Sequence, residues 1–127
     1  MFPVSPQENF PEYVEDIRNF AALLNAEVLI YTIIKSDLGP GEEIDKNKQV
    51  AADLLSASGI EFQLIDDPAS VYSYGFGKQI VEFAHTHSVD FISINSKPAS
   101  HLAVLADADK EVIIINKYEI PVFCFNR

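Results

Sequence analysis

Glycine is scarce in this chain: there are five in 127 residues, and none in the fifty that follow Gly77. A phosphate-binding turn between a strand and a helix relies on glycine, because backbone N–H groups converge on an anion only through conformations and close approaches that a Cβ obstructs. Cysteine is scarcer still, and the single Cys124 cannot form an internal disulfide. Basic residues are few, 9 Lys and Arg against 19 Asp and Glu, for a net charge of −10. Such a surface repels a phosphate backbone or an anionic leaflet, so neither nucleic acid nor a membrane is an expected partner. No apolar run approaches the roughly 20 residues that span a bilayer. The opening MFPVSPQENFPEY has neither the basic nor the long apolar region of a signal peptide, and a cytoplasmic location is the expectation.

What is present is a pattern of alternation in a 127-residue chain that is 48% hydrophobic, close to the commonest size of a single domain with one core. Residues 1–127 are therefore read as one domain. Phe2 to Ser5, Ala26 to Ile34, Ile60 to Ile65, Val89 to Asn95 and Ile120 to Asn126 are short and rich in β-branched and aromatic residues, and read as strands. The near-continuous apolar character of the second suggests burial on both faces, as in a parallel sheet. Between the strands lie helical stripes: Val14, Ile17, Ala21 and Leu24, with Asn9 as cap and Pro11 in the first turn; Ala51, Leu54, Leu55 and Ser58, with Glu42 and Glu43 near the positive end and Gly59 to terminate it; and Phe76, Ile80, Phe83, Ala84 and His87, with Ser73 as cap. Gly39, Pro40 and Gly41 mark a turn before the second helix. Glu111 to Asn116 carries four β-branched residues in a row; propensity alone favours strand, and a hairpin with the last strand stays open. Alternation of this kind implies right-handed crossovers and a parallel sheet covered on both faces. The opening strand has four or five residues where the others have six to nine. That length raises the expectation that Met1 is internal to a longer protein, a fragment or the second half of a tandem pair with a covalently linked domain before it.

The pattern resembles the universal stress protein family along essentially the full chain. FPVSPQENFPEYVEDIRNFAALLNAEVLIYTI resembles that family's opening strand, helix and second strand; IVEFAHTHSVDFISIN and EIPVFCFN resemble its third helix, fourth strand and last strand. The Ile120-Pro121-Val122 start of the final strand is the most telling. The resemblance implies a five-stranded parallel sheet with helices on both faces, a Rossmann-like or flavodoxin-like three-layer sandwich of the adenine nucleotide alpha hydrolase-like type, and selects helix for Asp109 to Lys117. Nucleotide-binding members carry Gly-x-x-Gly, nine residues, then Gly-Ser or Gly-Thr before the last strand. Ungapped alignment from Pro121 puts Asn95 and Pro98 at the first two glycines, Ala108 and Asp109 at the Gly-Ser pair, and Ser5 where an aspartate often faces the adenosine. Pro98 has no N–H to give. Asp109 would set a negative charge against phosphate, a repulsion on the order of 4 kcal/mol per charge pair at ~4 Å. That exceeds the ~1 kcal/mol of one neutral hydrogen bond even after severalfold screening. ATP binding in the family's usual mode is not expected, and no cofactor is.

The remaining chemistry-bearing residues have plainer readings. His85 and His87 on a helix lie about 200° apart, which does not make a metal pair; His87 continues the apolar stripe near a helix end and His85 is solvated. His101 lies near Ser96, Lys97 and Ser100, but no G-x-S-x-G elbow is present to strain a nucleophile. Cys124, between Phe123 and Phe125, reads as a packed small hydrophobe. Asp66 and Asp67, before Pro68, read as turn chemistry, and Tyr72 and Tyr74 as covers for a hydrophobic pocket. The expected function is a non-catalytic stress-response regulatory or assembly module that forms a homodimer through its last strand, by Ile120, Val122 and Cys124. The alternative is a small-molecule or nucleoside-binding protein or enzyme that uses Ser5, Ile33, Asn95, Ser96 and His101 in the crevice at the carboxyl ends of the first and fourth strands.

Overall fold

The computed structural model describes residues 1–35, 41–70, 75–97 and 107–127. Strand and helix alternate throughout: β1 (Phe2–Pro3), α1 (Phe10–Leu24), β2 (Val28–Ile34), α2 (Glu42–Ala57), β3 (Phe62–Pro68), α3 (Phe76–Thr86), β4 (Ile92–Asn95), α4 (Asp107–Ile114) and β5 (Val122–Phe125). All strand pairs are parallel, β1 and β3 flanking β2, and β4 paired with β5. The expected single five-stranded sheet is thus two sheets, one of three strands and one of two, set side by side.

Pro3 limits the bonding between the two sheets. Along a strand, N–H groups point alternately to the two neighbours. The Val4 N–H bonds Tyr31 O at 2.8 Å on the β2 side, while the Met1 amine bonds Phe91 O at 3.0 Å on the β4 side. Residue 3 therefore aims at β4, and proline has no hydrogen to offer there. Among the described residues, the Ser93 N–H to Met1 O bond, 2.8 Å, and the Met1 amine join the two sheets across this seam.

Two apolar cores lie on opposite faces, and the period-2 alternation of β2 feeds both. Val28 and Ile30 join Phe2, Phe10, Tyr13, Val14, Ile17, Ala51 and Leu55 beneath α1 and α2. Tyr31 and Ile33 join Phe76, Ile80, Ala84, Ile92, Ile94 and Ile113 beneath α3 and α4. Residues 111–114 are helical despite their β-branched run, because Ile113 is fully buried in the second core. The apolar stripe of α1 ends sooner than its spacing predicts: Leu24 is 43% exposed. Asn9 stands at the start of α1 with φ 53°, but its side chain makes no cap and donates to Arg127 O instead. Gly59, at φ 68°, ends α2 as expected. β3 runs through Asp66 and Asp67, which sequence alone read as a turn: Asp66 pairs with Lys48 at 2.7 Å, and Asp67 accepts bonds from the Tyr31 hydroxyl and from Gln79. Ser73, Tyr72, Tyr74, Gly39 and Pro40 lie outside the described residues.

Candidate functional site

The carboxyl ends of β1, β2, β4 and β5 converge where open parallel sheets bind ligands. Asn95 closes β4, nine-tenths buried, and its side-chain oxygen accepts the N–H groups of Lys97 and Arg127, both at 3.2 Å. Ser96 donates its N–H to Phe125 O at 2.7 Å and its hydroxyl to the same oxygen at 3.3 Å. Asn95 Oδ1 and Ser96 are thus engaged by the neighbouring Lys97 amide and by Phe125 and Arg127 at the end of the chain. Ser5, half-buried beyond β1, donates its hydroxyl to Gln7 at 3.1 Å, and its carbonyl takes a 2.9 Å bond from the buried Asn47 of α2. Ile33 is buried in the core beneath α3. Four of the five crevice residues therefore have a place: Ser5, Asn95 and Ser96 at strand ends, Ile33 behind them. His101 and Pro98 lie outside the described residues.

Asp109 is oriented differently from the expectation that it faces a bound phosphate. It is 6% exposed, turned between helices, and its carboxylate accepts the Gly77 N–H at 3.1 Å. Gly77 is the second residue of α3, so the carboxylate sits at the positive end of that helix, where a negative charge is favourable. Glycine is required here for space: a Cβ would collide with the Asp109 backbone carbonyl. Asp107 and Asp109 also occupy the first turn of α4, and Lys110 donates to Lys97 O.

Sequence reasoning missed a polar group beneath α2. Asn47 is buried, and both Thr32 Oγ1 and Gln7 Nε2 are buried without a hydrogen bond to the protein. No periodicity marks such positions, because Thr32 occupies an inward register among apolar neighbours. Cys124, expected to be packed, is exposed on β5. His87 stacks on Phe83, ring centroids 3.9 Å apart, and donates its Nδ1–H to Phe83 O at 2.9 Å; His85 stacks on Tyr118 at 3.7 Å. Among the described residues no group of three or more His, Cys, Asp or Glu is placed to hold a metal, and no helix is long and apolar enough to cross a membrane.

A second concavity lies at the opposite, amino end of the sheet, where sequence pattern gave no signal. Its volume is about 630 Å³, and it is walled by α1, β2, β4, β5 and the end of α3, with Phe20, Phe91, Phe123 and Phe125 among its lining.

Two layers of helix over parallel strands ordered 3-2-1 and 4-5 define a three-layer α/β architecture. More particularly, the chain has the universal stress protein fold. It is similar to a universal stress protein family structure from Burkholderia pseudomallei (TM-score 0.67, 11% identity, covering 99% of this chain and 95% of that one). It is also similar to a universal stress protein from Archaeoglobus fulgidus (TM-score 0.72, 14% identity, 97% and 89% covered). A third similar structure is the hypothetical protein MJ0577, solved as a structure-based assignment of biochemical function (TM-score 0.67, 18% identity, 99% and 94% covered). No protein-family model matches the chain, and no curated protein does.

Proposed function

We propose that this chain is a universal stress protein-like regulatory or assembly module that does not catalyse a reaction and does not hold ATP in the manner of its nucleotide-binding relatives. The observation that carries the reading is Asp109. Where nucleotide-binding relatives carry a hydroxyl, this chain has an aspartate whose carboxylate is buried against the Gly77 N–H of α3 and offers a phosphate no donor, and the same first turn of α4 carries a second acidic residue, Asp107. Asn95 supports the same reading, since its side-chain oxygen is engaged by the Lys97 and Arg127 N–H groups. The module acts as a homodimer through β5, whose second edge has no strand beside it among the described residues. Exposed Cys124 on that strand, and exposed Val112, Ile114 and Ile115 at the end of the helix leading into it, supply apolar surface for a two-fold contact.

One observation favours the alternative, a small neutral molecule or nucleoside in the crevice at the ends of β1 and β4. Thr32 Oγ1 and Gln7 Nε2 are buried near that end without protein partners, and buried polar atoms ordinarily have one. A thermal-shift series separates the two, because a ligand that binds the native state raises its melting temperature. The regulatory reading predicts no shift with Mg-ATP, adenosine or divalent cations; a shift with adenosine alone establishes the alternative, and a shift with Mg-ATP overturns both.

A further inference from the structure

The cavity at the amino end of the sheet lies away from the strand ends just described and does not depend on the function proposed for them. We propose that it binds a small amphiphilic amine, an apolar body carrying one positive charge, in preference to carboxylates or phosphates.

Size and walls set the apolar half of the ligand. About 630 Å³ falls within the range of small-molecule sites, ~300–1,000 Å³. The space exists because β2 runs past β1 at this end: Phe2 is level with Ile30, leaving Val28 and Leu29 of β2 to line the opening across from Phe91. Four partly exposed phenylalanines make one wall, Phe20 against Phe123 at 4.2 Å between ring centroids, Phe91 against Phe123 at 5.2 Å and Phe125 against Phe20 at 6.3 Å. Ring faces attract cations as well as apolar groups.

Charge sets the other half. Among the described residues lining the cavity none is Lys or Arg, and the carboxylates are Glu27 and Asp90. Two helices end at its mouth, α1 at Leu24 and Asn25 and α3 ahead of His87 and Ser88, so both present their negative ends. Burial of the Met1 amine in the lining disfavours its charged form and lowers its pKa to about 6, with Asp90 acting in the other direction. The opposite end of an α/β sheet attracts anions through helix N-termini; here the same dipoles face the other way.

The test is isothermal titration of the full chain, near neutral pH, with three molecules of one shape: 4-phenylbutylamine, 4-phenylbutan-1-ol and 4-phenylbutyrate. The amine is expected to bind about fivefold or more tightly than the alcohol, and the carboxylate more weakly than either. Glu27→Gln with Asp90→Asn, both exposed, should cut the amine's advantage to about twofold and leave the alcohol unchanged. Leu24→Trp, at a half-exposed position on the rim, should weaken all three without unfolding the chain. Carboxylate binding equal to the amine's, amine affinity that survives both variants, or no binding by any of the three overturns the proposal.

Discussion

Asp109 and Gly77 form a contact in which each residue explains the other. The glycine lets the α4 backbone approach α3, and the aspartate takes the amide that the first turn of α3 would otherwise leave without a partner. Gly77→Ala should destabilise the fold by about 1–3 kcal/mol or more through overpacking against backbone. Asp109→Ala should cost about 1–3 kcal/mol by orphaning a buried N–H, while Asp109→Asn, which keeps an acceptor, should cost less. Urea denaturation measures all three. Glu82 illustrates a weaker, exposed contact. Hydrogen bonds from Tyr118 at 2.7 Å and from Lys117 at 2.9 Å hold its carboxyl below the usual value of 4.5. A lowered carboxylate pKa stabilises above the unfolded value and is lost as pH falls through the folded one. Stability should therefore decline below about pH 4.5, and Glu82→Gln should flatten that part of the acid-unfolding curve. The sequence showed Asp109 but not its direction, because the helix partner that turns it inward is 32 residues away.

At the scale of elements, Pro3 removes one bond from the seam between the two sheets. Pro3→Val would supply the N–H that faces β4. The new bond contributes about 0.5–1.5 kcal/mol, and the added freedom of the unfolded chain offsets about 0.4–1 kcal/mol of it. Stability should hardly change, but the residue 3 amide should be protected from hydrogen exchange; rapid exchange there would contradict the account of the seam. The strands and helices themselves were largely legible. Period-2 and period-3.6 apolar patterns placed β2, α1, α2 and α3 within a few residues, since each buries one face or both. Ile113 shows how a run of β-branched residues becomes helix when its burial demands it, a reading that propensity did not supply and the family resemblance did. The strand character of Asp66 and Asp67 was hidden because their partners, Lys48, Tyr31 and Gln79, come from three other elements. Pro3 was legible in the sequence, but only the register shows that its missing hydrogen faces β4.

The whole molecule has two ends of opposite character: a carboxyl end whose polar groups are turned to the chain's own last strand and helices, and an amino end with an aromatic-walled opening. Little of the second was legible, since Phe20, Phe91, Phe123 and Phe125 lie on separate elements and each alone reads as core. The proposed association runs through the outermost strand. Light scattering at micromolar concentration should give a dimer, and Cys124→Lys, a charge on the β5 edge, should give a monomer of unchanged fold; a wild-type monomer would remove the dimer from the account. The central claim concerns the carboxyl end, that Asp107, Asp109 and Asn95 leave no cradle for a triphosphate. Isothermal titration with Mg-ATP tests it most directly: heats no larger than dilution up to millimolar nucleotide are predicted, and a micromolar dissociation constant would contradict it.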